Sequence, residues 1–521
     1  MTEQVKRIII VGGGTAGWIT AGIIAAEHIT ANTENPIQIT LIESTDIEPI
    51  GVGEGTWPSM RETLKTIGIN EAEFLSQCDA SFKQGSKFVN WIGTNNSNDS
   101  YHHPFTVPDD YFQVNLAPHW LLHGQEIPFD FAVTFQGKLC EHNLAPKQIT
   151  SPEYTFIGNY GYHLDAGKFG RFLREHCTSK LGVDHIDDRV ESVNLHKSGD
   201  VSSVQTKRHG EIEGDLFIDC TGLHGLLLDK TYGIPFVSCK DVLCNDSAIA
   251  VQVPYDQPDQ NINSATLSTA VENGWIWDIG LQSRRGVGHV YSSAHCSDEQ
   301  AEQTLIQYIQ ATTNNTAVEQ LQFKKLAINP GHREILWHKN AVAIGMSAGF
   351  IEPLEASAIA MIELSAKFIS AQLPQNRATM DIIAKRFNHK FLDRWEQIID
   401  FLKLHYVLSK RRDSQYWQEC SSLENAPSRL KDKLALWQTQ SPYTHDSLVT
   451  EELFPSASYQ YIYYGMGGKT KVRLTQKIFN EKKRVNQIIH ENNTKTNKLL
   501  SVLPSNRELL NKIRQFGLHK I

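Results

Sequence analysis

Three glycines at positions 12, 14 and 17 constrain this chain more than any other feature, because of what stands on either side of them. Val5 to Val11 is a short apolar run that ends in Gly12-Gly13-Gly14, and the small and apolar residues from Ala16 to Ile29 read as a helix. Ile37 to Ile42 then alternates like a strand and ends at Glu43. This is the opening of a βαβ unit with a Gly-x-Gly-x-x-Gly turn between strand and helix. In such a turn Gly12 permits the tight bend, Gly14 lets a pyrophosphate approach the backbone, and Gly17 lets helix and strand pack closely. The helix start, with Thr15 and Ala16, offers unpaired N–H groups and positive potential to phosphate. Glu43 can accept hydrogen bonds from a ribose diol. The turn predicts a dinucleotide site, but by itself it does not separate FAD from NAD.

Two later segments favour FAD. Ile218-Asp219-Cys220-Thr221-Gly222 and Val342-Ala343-Ile344-Gly345-Met346 are each a short apolar strand running into a glycine turn. Returning strands of this kind can line a long flavin, whereas NAD does not require the second.

The remaining pattern divides the chain. Strands are expected at Lys87–Ile92, Leu216–Asp219 and Ala341–Ile344, with Ile249–Val253 and Val287–Tyr291 in a second, antiparallel sheet. Asn95–Ser100 reads as a polar loop. Ala356–Leu373 and Met380–Leu408 read as helices, after which only Tyr459–Tyr464 looks like a strand. The expected fold class is α/β: a Rossmann-like FAD-binding body of the aromatic-hydroxylase type, residues 1–370, with an inserted β-sheet. A mainly helical C-terminal region, residues 371–521, would cap the substrate site.

Composition narrows the class further. Of 521 residues, 40% are hydrophobic and 21% charged, enough apolar residue for a large core. The net charge of −8 argues against a nucleic-acid partner, even though residues 469–521 hold 13 Lys+Arg against 3 Glu. A basic run like that is usually a solvated helix face. The eight cysteines form no C-x-x-C pair, so neither a metal site nor a disulfide framework is expected. No apolar stretch is long enough to span a bilayer and no signal-peptide core follows Met1, so a cytoplasmic location is expected.

Eight motifs, in order, resemble the flavin-dependent tryptophan halogenase family. They are Gly12-Gly-Gly-Thr-Ala-Gly-Trp18, Gly51-Val-Gly53-Glu-Gly-Thr56, Lys83-Gln-Gly-Ser-Lys-Phe-Val-Asn-Trp91 and Tyr162-His-Leu-Asp-Ala166. Then follow Asp219-Cys-Thr-Gly222, Trp275-Ile-Trp277, Gly349-Phe-Ile-Glu-Pro-Leu-Glu355 and Phe401-Leu-Lys-Leu-His-Tyr406. The resemblance implies FAD, delivered as FADH2 by a separate reductase, together with oxygen and a halide ion, chloride or bromide. From these the family makes hypohalous acid, which a lysine presents to an electron-rich aromatic substrate such as an indole.

Residue by residue, the resemblance aligns Lys83 with the family's catalytic lysine, where an ammonium can polarise hypohalous acid or an amine can form a haloamine. Lys87 is the decoy four residues on, and composition alone does not choose between them. Glu355 aligns with the catalytic glutamate, able to stabilise a cationic ring intermediate and take its proton. Helix capping before Ala356 is an equally sound reading of that residue, and Glu352 is the weaker candidate. Halide would rest on backbone N–H groups at Ser357 and Ala358, where the family usually carries Thr-Gly. Gly280 stands where the family has a proline after Trp275-x-Trp277-x-Ile279, and the two tryptophans read as core. His102, His103, Tyr463 and Tyr464 are candidate substrate-side residues, each equally explicable as packing. A flavin monooxygenase and a non-catalytic flavin-binding sensor are the alternatives. A monooxygenase has no use for a remote lysine and tends to carry Gly-Asp where Gly345 is followed by Met346, and retention of both Lys83 and Glu355 argues against the sensor. The sequence leaves the assembly open, with a homodimer as the expectation.

Overall fold

A computed structural model describes residues 4–29, 37–44, 53–93, 99–314, 317–446 and 452–520. Gly51 and Val52 of the second motif, and most of the Asn95–Ser100 segment, lie outside the described residues. The chain forms two compact units, each assembled from three stretches of sequence. The first comprises residues 1–79, 164–238 and 329–395, the second 80–163, 239–328 and 396–521.

The first unit is built on a six-stranded sheet in the order Trp337–His338, Ala341–Ala343, Leu216–Asp219, Arg7–Val11, Gln38–Glu43, Asp184–Asp187. All neighbours are parallel except the first pair. Ile8, Ile9, Ile10 and Val11 are all buried, so both faces of this strand are covered and its sequence runs apolar without alternation. The helix Thr15–His28 packs between the helices Ala166–Lys180 and Ser357–Ala371. Gly22, where an added Cβ would meet Cys177 Sγ at 3.2 Å, allows part of that approach.

The second unit carries a seven-stranded sheet in the order Lys324–Ala327, Ser247–Pro254, Arg284–Tyr291, Gly274–Gly280, Thr266–Val271, Gly85–Val89, Ser100–Pro104. It is antiparallel apart from the pairing of Thr266–Val271 with Gly85–Val89. The expected antiparallel pair is present, with Val251 opposite Val287. Ile249, Val251 and Val253 alternate onto one face, where Ala301, Leu305 and Ile309 of the helix Asp298–Thr312 cover them. The helices Gln415–Cys420, Ser428–Trp437, Ser456–Gly465, Gln476–Val502 and Asn506–Phe516 make the C-terminal part mainly helical, as expected.

Three expectations need correction. Tyr459–Tyr464 is helical, within Ser456–Gly465, not a strand. All six residues are buried, and a short aromatic run buried on every side carries no periodicity that separates strand from helix. The strand expected at Lys87–Ile92 spans Gly85–Val89 and stops at Asn90, whose φ of 63° leaves the extended region. Finally, Cys244 and Cys420 form a disulfide across 176 residues of sequence, so the eight cysteines are not all reduced. It is a single link between distant positions, and no local spacing announces it.

Candidate active site

The glycine turn has the geometry its sequence predicts. Gly12 has φ of 108°, and an added Cβ would lie 2.2 Å from the Cys220 carbonyl oxygen. A Cβ on Gly17 would come within 2.0 Å of the Gly12 carbonyl oxygen, so helix and strand touch there. Around Gly14 there is open space, with nothing within 4 Å of an added Cβ. The turn is therefore closed where the protein packs on itself and open where a pyrophosphate would lie. Thr15, Ala16 and Gly17 follow as the first residues of the helix, which has no acidic residue in its first turn and Gly14 as its cap.

Glu43 ends its strand with Oε1 3.1 Å from His185 Nε2 and 3.5 Å from Arg174 Nη1, a buried oxygen that makes no hydrogen bond among the described residues. Oε2 of Glu43 occupies the place a Cβ on Gly13 would take, 1.7 Å from it. Gly13 was not singled out by the fingerprint, although the run of three glycines was the available signal. Gly345 turns the late strand with φ of 72°, and a Cβ there would meet Ala16 Cβ at 2.9 Å. Gly53 is buried at the start of the strand Gly53–Gly55. The residues present fit a dinucleotide as long as FAD: an open phosphate turn, a buried carboxylate oxygen at the second strand with no hydrogen bond among the described residues, and two returning strands.

In the same unit the chain turns sharply at Glu355 and Ala356, whose φ values are 65° and 54°. Both are non-glycine residues in the left-handed region, a conformation that costs about 1–3 kcal/mol each. Ala356 is the cap residue of the helix Ser357–Ala371 and brings no capping side chain, so Glu355 stands one residue outside the helix rather than capping it. Its side chain is buried, as is that of Glu352. Ser357 and Ala358 supply the first two N–H groups of a 15-residue helix with no acidic residue in its first turn. Trp57 Nε1 donates to the Glu355 carbonyl oxygen at 2.8 Å, a contact no sequence motif signalled.

In the second unit Lys83 ends the short strand Ser81–Lys83 and is 1% exposed. Its Nζ lies 5.5 Å from the centre of the Phe105 ring. The strand pairs with Gly161–Asp165, and His163, opposite Ser81, therefore faces the same side as Lys83. Burial holds the His163 imidazole well below its ordinary pKa, and the charge of Lys83 lowers it further. A neutral imidazole results, donating to or accepting from Thr266 Oγ1 at 2.8 Å. Lys87 differs: its Nζ is 2.7 Å from Glu141 Oε1, and both side chains are partly exposed.

The four substrate-side candidates are buried and each makes a hydrogen bond within the protein, but the buried Nε2 of His102 makes none among the described residues. His102 Nδ1 is 3.0 Å from Asp130 Oδ2, and His103 Nε2 is 2.8 Å from Ser458 Oγ. Tyr463 donates to the Lys469 carbonyl at 2.9 Å, and the Tyr464 hydroxyl meets Thr470 Oγ1 at 3.1 Å. Trp275 and Trp277 are buried in the strand Gly274–Gly280 as core residues, Trp277 lying against Gly288. Gly280 accepts from Ser81 Oγ, and a Cβ there would come within 2.8 Å of Ile262 Cγ2, which accounts for the missing proline. Among the described residues no helix is long and apolar enough to cross a membrane, and no cluster of His, Cys, Asp and Glu could hold a metal ion.

Comparison with known proteins shows a family. A family model described as tryptophan halogenase matches residues 7–478. A 7-chloro-L-tryptophan 6-halogenase of Kutzneria sp. (strain 744) is 33% identical over 484 residues, 88% of this chain and 90% of its own. A tryptophan 7-halogenase of Lentzea aerocolonigenes is 31% identical over 453 residues, 84% of this chain and 83% of its own. The crystal structure of a tryptophan halogenase from Shewanella frigidimarina NCIMB 400 superposes with a TM-score of 0.95 at 49% identity, covering 100% of this chain and 99% of that one.

Proposed function

The chain belongs to the flavin-dependent tryptophan halogenase family, and from that premise we propose that it halogenates an indole of the tryptophan type. The observation that carries the reading is the burial of Lys83, an amine withdrawn from water at a strand end beside an aromatic ring. Water would hydrate such an amine and consume the oxidant it holds, and burial prevents both.

Bound FADH2 supplies the chemistry that turns oxygen and halide into hypohalous acid, and a separate flavin reductase is the expected source of the reduced cofactor. Gly12, Gly14, Gly17, Thr15 and Ala16 would receive the pyrophosphate, Glu43 a ribose, and Gly53 and Gly345 the length of the flavin. The N–H groups of Ser357 and Ala358 would hold the halide.

Lys83 then presents hypohalous acid to the aromatic ring, either by a hydrogen bond from its ammonium or as a haloamine. A ring carbon takes the halogen either as the O–X bond breaks and the oxygen leaves as water, or as the N–X bond of a haloamine, itself formed from hypohalous acid with loss of water, breaks and returns the lysine amine. The ring is left cationic until Glu355 accepts its proton, which restores aromaticity. The neutral imidazole of His163 adds no second positive charge near Lys83. His102, His103, Tyr463 and Tyr464 enter the proposal as the framework behind the substrate, since each is buried and hydrogen-bonded within the protein. Residues 371–521, mainly helical, are proposed to contribute to the substrate site, and residues 1–370 to form the FAD-binding body, whose sequence also supplies Lys83, His102 and His103.

The test is direct. The protein is supplied with reduced FAD, oxygen and bromide or chloride, together with L-tryptophan and a panel of indoles. Products carrying the halogen isotope pattern support the reading. Oxygenated products would indicate a monooxygenase, and peroxide without product across the panel would sink the halogenase assignment.

A further inference from the structure

The turn that carries Glu355 is held by a segment that no function has yet been given. Glu355 and Ala356, both left-handed, form a turn that free chain would not keep, because each conformation is unfavourable for a residue with a Cβ. Such a turn persists only where its surroundings impose it. Trp57 Nε1 donates to the Glu355 carbonyl at 2.8 Å, and that bond fixes the peptide plane joining Glu355 to Ala356. The same segment grips the following helix a second time. Ser59 Oγ donates to Glu363 Oε2 at 3.0 Å and Thr63 Oγ1 donates to Glu363 Oε1, both from the helix Ser59–Thr66. Glu363 is fully buried in the helix Ser357–Ala371. Turn and helix are thus fastened at two places to one short stretch of chain, Trp57 to Thr63.

We propose that Trp57 is a positioning residue for the reaction: its indole N–H, by holding the Glu355 carbonyl, sets the direction of the Glu355 carboxylate and of the N–H groups of Ser357 and Ala358. The inference rests on the functional reading above for what Glu355 does, but not for how Trp57 holds it. The peptide plane is the shared lever. If it rotates, the carboxylate that takes the ring proton and the first N–H groups of the helix move together, while the glycine turn at 12–17 is untouched.

The experiment uses the full-length, FAD-loaded protein and the variant Trp57→Phe, which keeps an aromatic ring and removes the N–H. Loss of one such hydrogen bond should lower kcat for bromination of L-tryptophan about five- to tenfold. KM for the indole, FAD affinity and peroxide formation by the reduced protein should stay within about twofold. A crystal structure of the variant should show the Glu355–Ala356 peptide displaced. A role confined to stability predicts the opposite pattern, in which flavin affinity and thermal midpoint fall with kcat; that result, or an unchanged kcat, overturns the proposal. Should the wild type halogenate nothing, the functional reading fails separately. The variant's crystal structure then decides alone: an unmoved turn overturns the inference and a displaced one supports it.

Discussion

Lys87 Nζ lies 2.7 Å from Glu141 Oε1, while Lys83, four residues earlier, has its Nζ buried over the Phe105 ring. Two lysines that composition treats alike thus stand in different chemical settings. Lys87 makes its ion pair where water still reaches it, whereas Lys83 is withdrawn from water, a setting suited to polarising a neutral oxidant.

Lys83→Ala should therefore reduce halogenation at least about a hundredfold while peroxide formation by the reduced flavin continues. Lys87→Ala should keep halogenation within about threefold and cost at most about 1 kcal/mol, since its ion pair is partly exposed. Product yield and peroxide release, measured together on both variants, check this. Loss of activity in the Lys87 variant alone would reverse the assignment.

Glu355→Gln should lower halogenation about a hundredfold or more by removing the proton acceptor, with FAD affinity unchanged. The carboxylate stands outside the helix that begins at Ser357, so the substitution should not loosen that helix. Comparable circular dichroism and thermal midpoints would confirm that the loss is chemical.

The glycines of the turn should separate folding from binding. Gly14 has room for a methyl group in the protein itself, so Gly14→Ala should leave the thermal midpoint of the flavin-free protein nearly unchanged and weaken FAD binding about tenfold or more. Gly12→Ala would push a Cβ into the Cys220 carbonyl at a φ of 108° and should fail to fold stably. Equal effects of the two substitutions on the flavin-free protein would contradict the open-turn geometry.

Restoring the family's proline should harm this protein. Gly280→Pro would place a Cβ 2.8 Å from Ile262 Cγ2 within a sheet strand, and a loss of about 2–4 kcal/mol in denaturant unfolding is expected. Stabilisation by the proline would show that the Ile262 contact is not what excludes it.

The Glu363 carboxyl is pushed up to about 7 by burial, against the opposing pull of Lys367, Thr63 and Ser59. The native protein holds this proton at pH values where the unfolded chain has released it. Its contribution to stability is therefore full below about 4.5 and is lost as pH rises through about 7. Glu363→Gln, which stays neutral, should gain stability relative to wild type between pH 5 and pH 8, on the order of 3 kcal/mol over that window. Urea unfolding at the two pH values reads the difference, and parallel curves would refute it.

The local pattern determined a good deal about this protein. Arg7–Val11, the glycines and Gln38–Glu43 follow one another within some forty residues, so periodicity and turn chemistry were enough to place the nucleotide turn and its strands. The order of motifs placed the chain in its family and singled out Lys83 and Glu355. What the sequence could not carry was set by partners far along the chain. Glu141 distinguishes Lys87 from Lys83 across 54 residues, and Trp57 reaches Glu355 across 298. The left-handed pair at Glu355 and Ala356 contains no glycine, Cys244 and Cys420 are 176 residues apart, and the tyrosines of 459–464 are buried on every face. Burial and long-range hydrogen bonding arise only when distant segments pack, and they decided which of the candidate side chains are withdrawn from water and which are held by one another.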